Sequence, residues 1–210
     1  MMKLQKRDCP IAFRFVPYGS GWEDVYLTVN GEEHCFVVTG VFGPTGVDDL
    51  FSAIVGLHPR YNTCGCLHKR YIDETEDGIP IGATISLPGE GFGSEWSLKR
   101  PSVKDVDVPI EVSIVETEEG EEPQPPITFT IGYKDLCYAV AKGMTEVMKR
   151  HGLFGYGNAV WSHDLNLRVL LMLKEFALDV PDVLKVEDLG RGNGERTDFA
   201  KEFELIPFDM

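Results

Sequence analysis

Two hydrophobic periods divide this chain. In IAFRFVP, residues 11–17, Ile11, Phe13 and Phe15 fall on one side and Ala12 and Arg14 on the other, the period of a half-buried strand. WEDVYLTV, residues 22–29, follows, with Trp22, Val25, Leu27 and Val29 as its apolar set. Asn30-Gly31 then leads into EEHCFVVTGVF. Both turn residues tolerate positive φ, so the pair predicts a type I′ hairpin. The strand pattern returns from 60 to 115, in RYNTCGCLHKR, IGATISLPG, EWSLKR and VPIEVSIVE. In the last of these Val108, Ile110, Val112 and Ile114 alternate with Glu111 and Ser113. ITFTIGY resumes with Ile127, Phe129 and Ile131 on one face.

Helical spacing appears first in GPTGVDDLFSAIVGLHP, where Leu50, Phe51, Ile54, Val55 and Leu57 form a stripe and Thr45 or Asp48 can cap. It dominates the last third. Leu136, Val140, Met144, Val147 and Met148 make one stripe between Lys134 and His151, with Gly152 placed as a C-cap. Leu167, Leu170, Leu171 and Leu178 make the next, with Asp164 as its cap and Pro181 at its end. KEFELIPF reads as a terminal edge strand.

Strands come in consecutive runs and the longer helices gather late. That order predicts an α+β fold: a mostly antiparallel, twisted sheet covered by two or three helices. ETEEGEEPQPP, residues 116–126, interrupts the strands. Like charges repel and proline cannot pair, so it predicts an exposed loop within one domain, residues 1–210.

Composition changes this picture in one respect. Lys and Arg total 20 and Asp and Glu total 34, a formal charge of −14. Nucleic acids and anionic membranes need clustered positive charge, so neither is an expected partner. A basic protein is, and negative charge would speed its encounter. No apolar run approaches the roughly 20 residues of a membrane span, and the N-terminal residues lack the apolar core of a signal peptide. A cytoplasmic location is the expectation, and the odd count of five cysteines fits it better than a disulfide framework. Cys35 and Cys137 sit in apolar segments and read as small core residues.

Chemistry concentrates in HPRYNTCGCLHKR, residues 58–70. His58, Cys64, Cys66 and His68 could supply a tetrahedral zinc set if Gly65 turned both thiols the same way. A zinc knuckle uses C-x2-C and a second matching pair, and this chain has neither, so a turn with half-buried thiols is the simpler expectation. A metal-binding enzyme or regulator is the alternative that zinc would support.

Other motifs fall short of their chemistry. Ser94 in GFGSEW lacks the second glycine and the helix of a nucleophile elbow. His34 and Cys35 are strand neighbours and point to opposite faces. GRGNG, residues 190–194, matches neither a dinucleotide fingerprint nor a P-loop. Tyr156, Trp161, His163 and Asp164 could line a pocket at a helix start, or could be a cap with aromatic packing. Asp48-Asp49 and the Asp73–Asp77 turn miss the calcium-loop pattern. No residue is assigned a catalytic role.

GLFGYGNAVWSHDLNLRVLLMLKEF, residues 152–176, carries a G-x-x-G-Y-x4-W feature after an amphipathic helix, behind a sheet-rich half with an Asn-Gly hairpin. This layout resembles small bacterial immunity proteins that neutralise polymorphic toxins. The resemblance implies a non-catalytic inhibitor that blocks a basic toxin domain. On that expectation Glu116, Glu118, Glu119, Glu121 and Glu122 are the partner-binding residues. A structural subunit of a homo-oligomer, with Trp22 and Trp96 at its interface, is the third reading.

Overall fold

Sixteen residues around Asn30-Gly31 set the first layer. In the computed structural model, Asn30 (φ 54) and Gly31 (φ 82) turn β2 (Trp22–Val29) back into β3 (Glu32–Thr39), as the sequence predicts. β1 (Ile11–Gly19) pairs antiparallel with β2 on the other side, giving a three-stranded sheet β1-β2-β3. The model describes residues 8–39, 46–59, 71–102, 105, 107–160, 166–180, 184, 187–188 and 195–206. The strand expected in 60–70 and the GRGNG loop lie outside the described residues.

A second antiparallel sheet runs β4 (Ile72–Glu74), β5 (Pro80–Pro88), β6 (Phe92–Lys99), β7 (Pro109–Glu118) and β8 (Ile127–Gly132), in that order. The acidic segment therefore begins inside a strand: Glu116, Thr117 and Glu118 belong to β7, opposite Ser94, Gly93 and Phe92 of β6. Pairing with β6 outweighs the mutual repulsion of carboxylates that remain in water. The exposed loop starts only at Glu119.

Among the described residues four helices complete the fold: α1 (Val47–Gly56), α2 (Tyr133–Val160), α3 (Leu167–Ala177) and α4 (Phe199–Leu205). Among described residues two short strands, β9 (Glu187–Asp188) and β10 (Glu195–Arg196), pair antiparallel. Gly152 (φ 68, ψ 169) is non-helical and ends the first helical run of α2 where the sequence predicts a C-cap; a second run continues from it to Val160. α1 starts at Gly46 with no side-chain cap, so Asp48 sits inside the first turn. Asn166 caps α3 by accepting from the Val169 amide at 3.2 Å. Asp164 lies outside the described residues. The expected C-terminal strand is instead α4: Asp198 accepts from the Ala200 and Lys201 amides and so starts a helix.

The inward faces of both sheets and the buried faces of α1–α3 share one core. Ile11, Phe13, Phe15, Val25, Leu27 and Val29 meet Ile85, Leu87, Leu98, Ile110 and Ile114 across it. Trp96 joins the layers, its ring 5.0 Å from Phe36 and 6.2 Å from Phe13, with its indole N–H donating to Ser94 Oγ at 3.0 Å. Trp96 is therefore a core residue and not an interface aromatic. Strand parity corrects a second expectation: Val25, Leu27 and Val29 point inward with Glu23, whereas Trp22 shares the outer face with Asp24 and Tyr26.

α2 packs close along the edge strand β1. A Cβ on Gly143 would lie 2.8 Å from the Phe13 carbonyl oxygen, so only glycine allows this approach. Two buried polar groups tie α1 to the rest of the fold, Tyr133 from the start of α2 and Arg100 from the end of β6. Tyr133 donates its hydroxyl to the Ile54 carbonyl at 2.6 Å. Arg100 donates to the carbonyls of Leu57 (2.6 Å), Ser102 (3.0 Å) and Asp105.

Candidate functional site

The inward row of β7 reads Ile110, Val112, Ile114, and then Glu116 and Glu118. The first three are buried under the smaller sheet. The two glutamates continue the same face past the cover of β3 and stand in water. Here the space between the sheets opens as a groove of about 330 Å³. One wall is β3, through Cys35, Phe36 and Val37. The other is the end of β6 and β7, with Phe92, Gly93, Ser94, Glu116, Thr117 and Glu118, extended by Glu121, Glu122 and Gln124.

Backbone bonds hold the acidic wall in place. The Glu119 amide donates to the Gly91 carbonyl at 2.8 Å, and the Glu121 amide to the Glu118 carbonyl at 3.1 Å. The latter closes a β-turn with Gly120 (φ 86) at its third position, where positive φ suits glycine. The Gln124 amide returns to the Glu116 carbonyl at 3.4 Å. The Phe92 ring, partly exposed at the mouth, lies against Trp22 at 6.5 Å.

Four of the five glutamates expected to bind a partner thus line one groove, and Glu119 is not among its lining residues. Among the described residues none that lines it is basic. Sequence reading placed these carboxylates in a loop and missed the opposite wall, because the meeting of β3 with β6 is a long-range event. The parity signal was present, since Glu116 and Glu118 continue the Val108–Ile114 alternation.

Cys35 lies at the groove on the exposed face, opposite Tyr26 in register, and is not the core residue expected. Partial burial raises its thiol pKa, against the opposing effect of the Tyr26 hydroxyl. A thiol pushed up is a weak nucleophile at neutral pH. Beside it Arg14 stacks on the Tyr26 ring at 3.5 Å and pairs with Glu33 at 3.2 Å, and Tyr26 donates to Asp24 at 3.1 Å. Cys137 is buried, and burial raises its pKa strongly.

Of the alternative zinc set only His58 is described. Cys64, Cys66 and His68 lie outside the described residues. His58 is buried beyond α1, its ring edge-on to Phe176 at 4.9 Å and 6.2 Å from Tyr133. Among the described residues no group of three or more His, Cys, Asp or Glu side chains could hold a metal. Of the second expected pocket, Tyr156 lies on α2, its side chain not described, and Trp161, His163 and Asp164 lie outside the described residues.

Among described residues no helix is long and apolar enough to cross a membrane. Comparisons with protein-family models, curated proteins and solved structures returned no match.

Proposed function

We propose that this protein is a non-catalytic binding module that holds a basic segment of another protein in the groove between β3 and the β6–β7 end. One observation carries the reading: the core-facing row of β7 turns from aliphatic to acidic where the sheets part, in a groove with no basic residue among its described lining. Four carboxylates facing one concavity repel one another, and an entering Lys or Arg relieves that repulsion. Phe92 offers an exposed ring for the stem of a lysine or the plane of an arginine. The −14 charge of the whole chain draws such a partner from a distance set by ionic strength. Immunity-type inhibition of a basic toxin domain is the specific form of this reading, with the toxin's cationic cleft supplying the segment.

The test uses a synthetic octapeptide of alternating Arg and Val. Binding is followed by calorimetry across a salt series. The reading expects affinity that falls with salt. It expects a Glu116→Gln/Glu118→Gln/Glu121→Gln/Glu122→Gln variant to bind at least about tenfold more weakly, with a flatter salt dependence. Equal affinity for the two proteins would remove the groove from consideration.

A further inference from the structure

We infer that the basic segment is captured by strand addition: it pairs through its main chain with the open edge of β3. The inference rests on the proposed function for the choice of a basic partner, and on independent backbone geometry for the mode.

The Asn30-Gly31 turn is a two-residue loop with both residues at positive φ. In such a hairpin the flanking pair, here Val29 and Glu32, exchanges both backbone hydrogen bonds. Antiparallel ladders then alternate. His34, Phe36 and Val38 direct their N–H and C=O groups toward β2, and Glu33, Cys35 and Val37 direct theirs away from it. Cys35 and Val37 line the groove. Among the described residues no strand pairs with that side of β3.

Proteins ordinarily blunt such an edge with a bulge, a proline or a covering element. Two of the other edges are treated in such ways: β1 is covered by α2, and β4 is three residues long with a shift in its register. β3 pairs with β2 over eight registers without a bulge and contains no proline. It is a strand-length template beside an acidic wall. A segment laid along it would present alternate side chains to Glu116, Glu118, Glu121 and Glu122, so the fitting partner is an extended stretch with Lys or Arg at every second position.

Selective N-methylation of the alternating Arg-Val octapeptide tests the mode. One peptide is methylated on the four Arg amides and another on the four Val amides; charge and side chains are the same in both. Strand addition uses the N–H groups of one parity only, so one methylated peptide should lose at least about tenfold in affinity and the other should bind as the parent does. In the saturated parent complex, hydrogen exchange at the Cys35 and Val37 amides should slow by at least about tenfold. Equal binding of both methylated peptides, with no new protection at Cys35 and Val37, overturns strand addition; the binding reading then stands if the glutamine variant still weakens all three. No binding of the parent peptide overturns both.

Discussion

Replacing Gly143 with alanine sets two effects of known sign against each other. Gly143 lies inside α2, where alanine is intrinsically better than glycine by about 1 kcal/mol. Its Cβ, however, would stand 2.8 Å from the Phe13 carbonyl oxygen and 2.8 and 3.1 Å from two atoms of the Phe15 ring. The carbonyl belongs to a strand held by β2 and cannot swing aside, so α2 must move off β1. Overpacking of this kind costs roughly 1–3 kcal/mol. The net expectation is a loss of about 0–2 kcal/mol after the helix-propensity gain is offset. Gly155, in the helical run that follows Gly152, is the internal control. Among the described residues its Cβ would meet the His151 Cβ at 3.8 Å, an ordinary contact, so Gly155→Ala should hold or gain stability. Urea unfolding of both variants measures the difference. A Gly143→Ala variant that gains the full helix-propensity value of about 1 kcal/mol would refute the close packing of α2 on β1, and with it the claim that β1 is a covered edge.

Two further outcomes follow from buried polar groups. Arg100→Met keeps the apolar stem but removes three charge-assisted bonds to the carbonyls of Leu57, Ser102 and Asp105, and should cost about 3 kcal/mol in urea unfolding; a cost below about 1 kcal/mol would mean that Arg100 does not tie α1 to the β6–β7 connection. Lys174 is buried on α3 and donates to the carbonyls of Leu205 (3.3 Å) and Ile206 (2.9 Å), and burial lowers its pKa to about 8. Between pH 8 and the unfolded value near 10.5 the unfolded chain holds a proton that the folded chain has lost, so this residue makes stability rise with pH, by roughly 3 kcal/mol over the full window. Tyr133 and Cys137, both raised by burial, act in the opposite sense at alkaline pH, so the measured quantity is the stability difference between the parent and Lys174→Met across pH 7–10.5. That difference should move in favour of the parent as pH rises; a flat difference contradicts the buried position of the amine.

The alternation of Ile11, Phe13 and Phe15, the Asn-Gly turn and the late helical stripes carried the α+β class and most strand positions, because these are local signals set by period and turn chemistry. Side-chain parity in β2 was harder to read. Trp22 and Val25 are both apolar yet face opposite ways, and the buried Glu23 is assigned inward only by its register with Val38. The terminal KEFELIPF has strand-like residues, but one aspartate at the N-cap gives a helix. The groove was half legible. Its glutamates are conspicuous in sequence; its other wall depends on where β3 meets β6, some 60 residues on, and no local pattern encodes that meeting.

Whether the groove or the overall negative charge does the binding is the central point, and two variants that remove four charges each decide it. One neutralises Glu116, Glu118, Glu121 and Glu122; the other converts Asp73, Glu74, Glu76 and Asp77, exposed around β4 and its turn, to the corresponding amides. Both end at the same net charge. The measurement is the dissociation constant of each for the alternating Arg-Val octapeptide at one moderate salt concentration. The groove variant should lose at least about tenfold while the β4 variant stays within about twofold of the parent. Equal losses in the two would mean that charge alone attracts the peptide, and would contradict a binding site between β3 and β7.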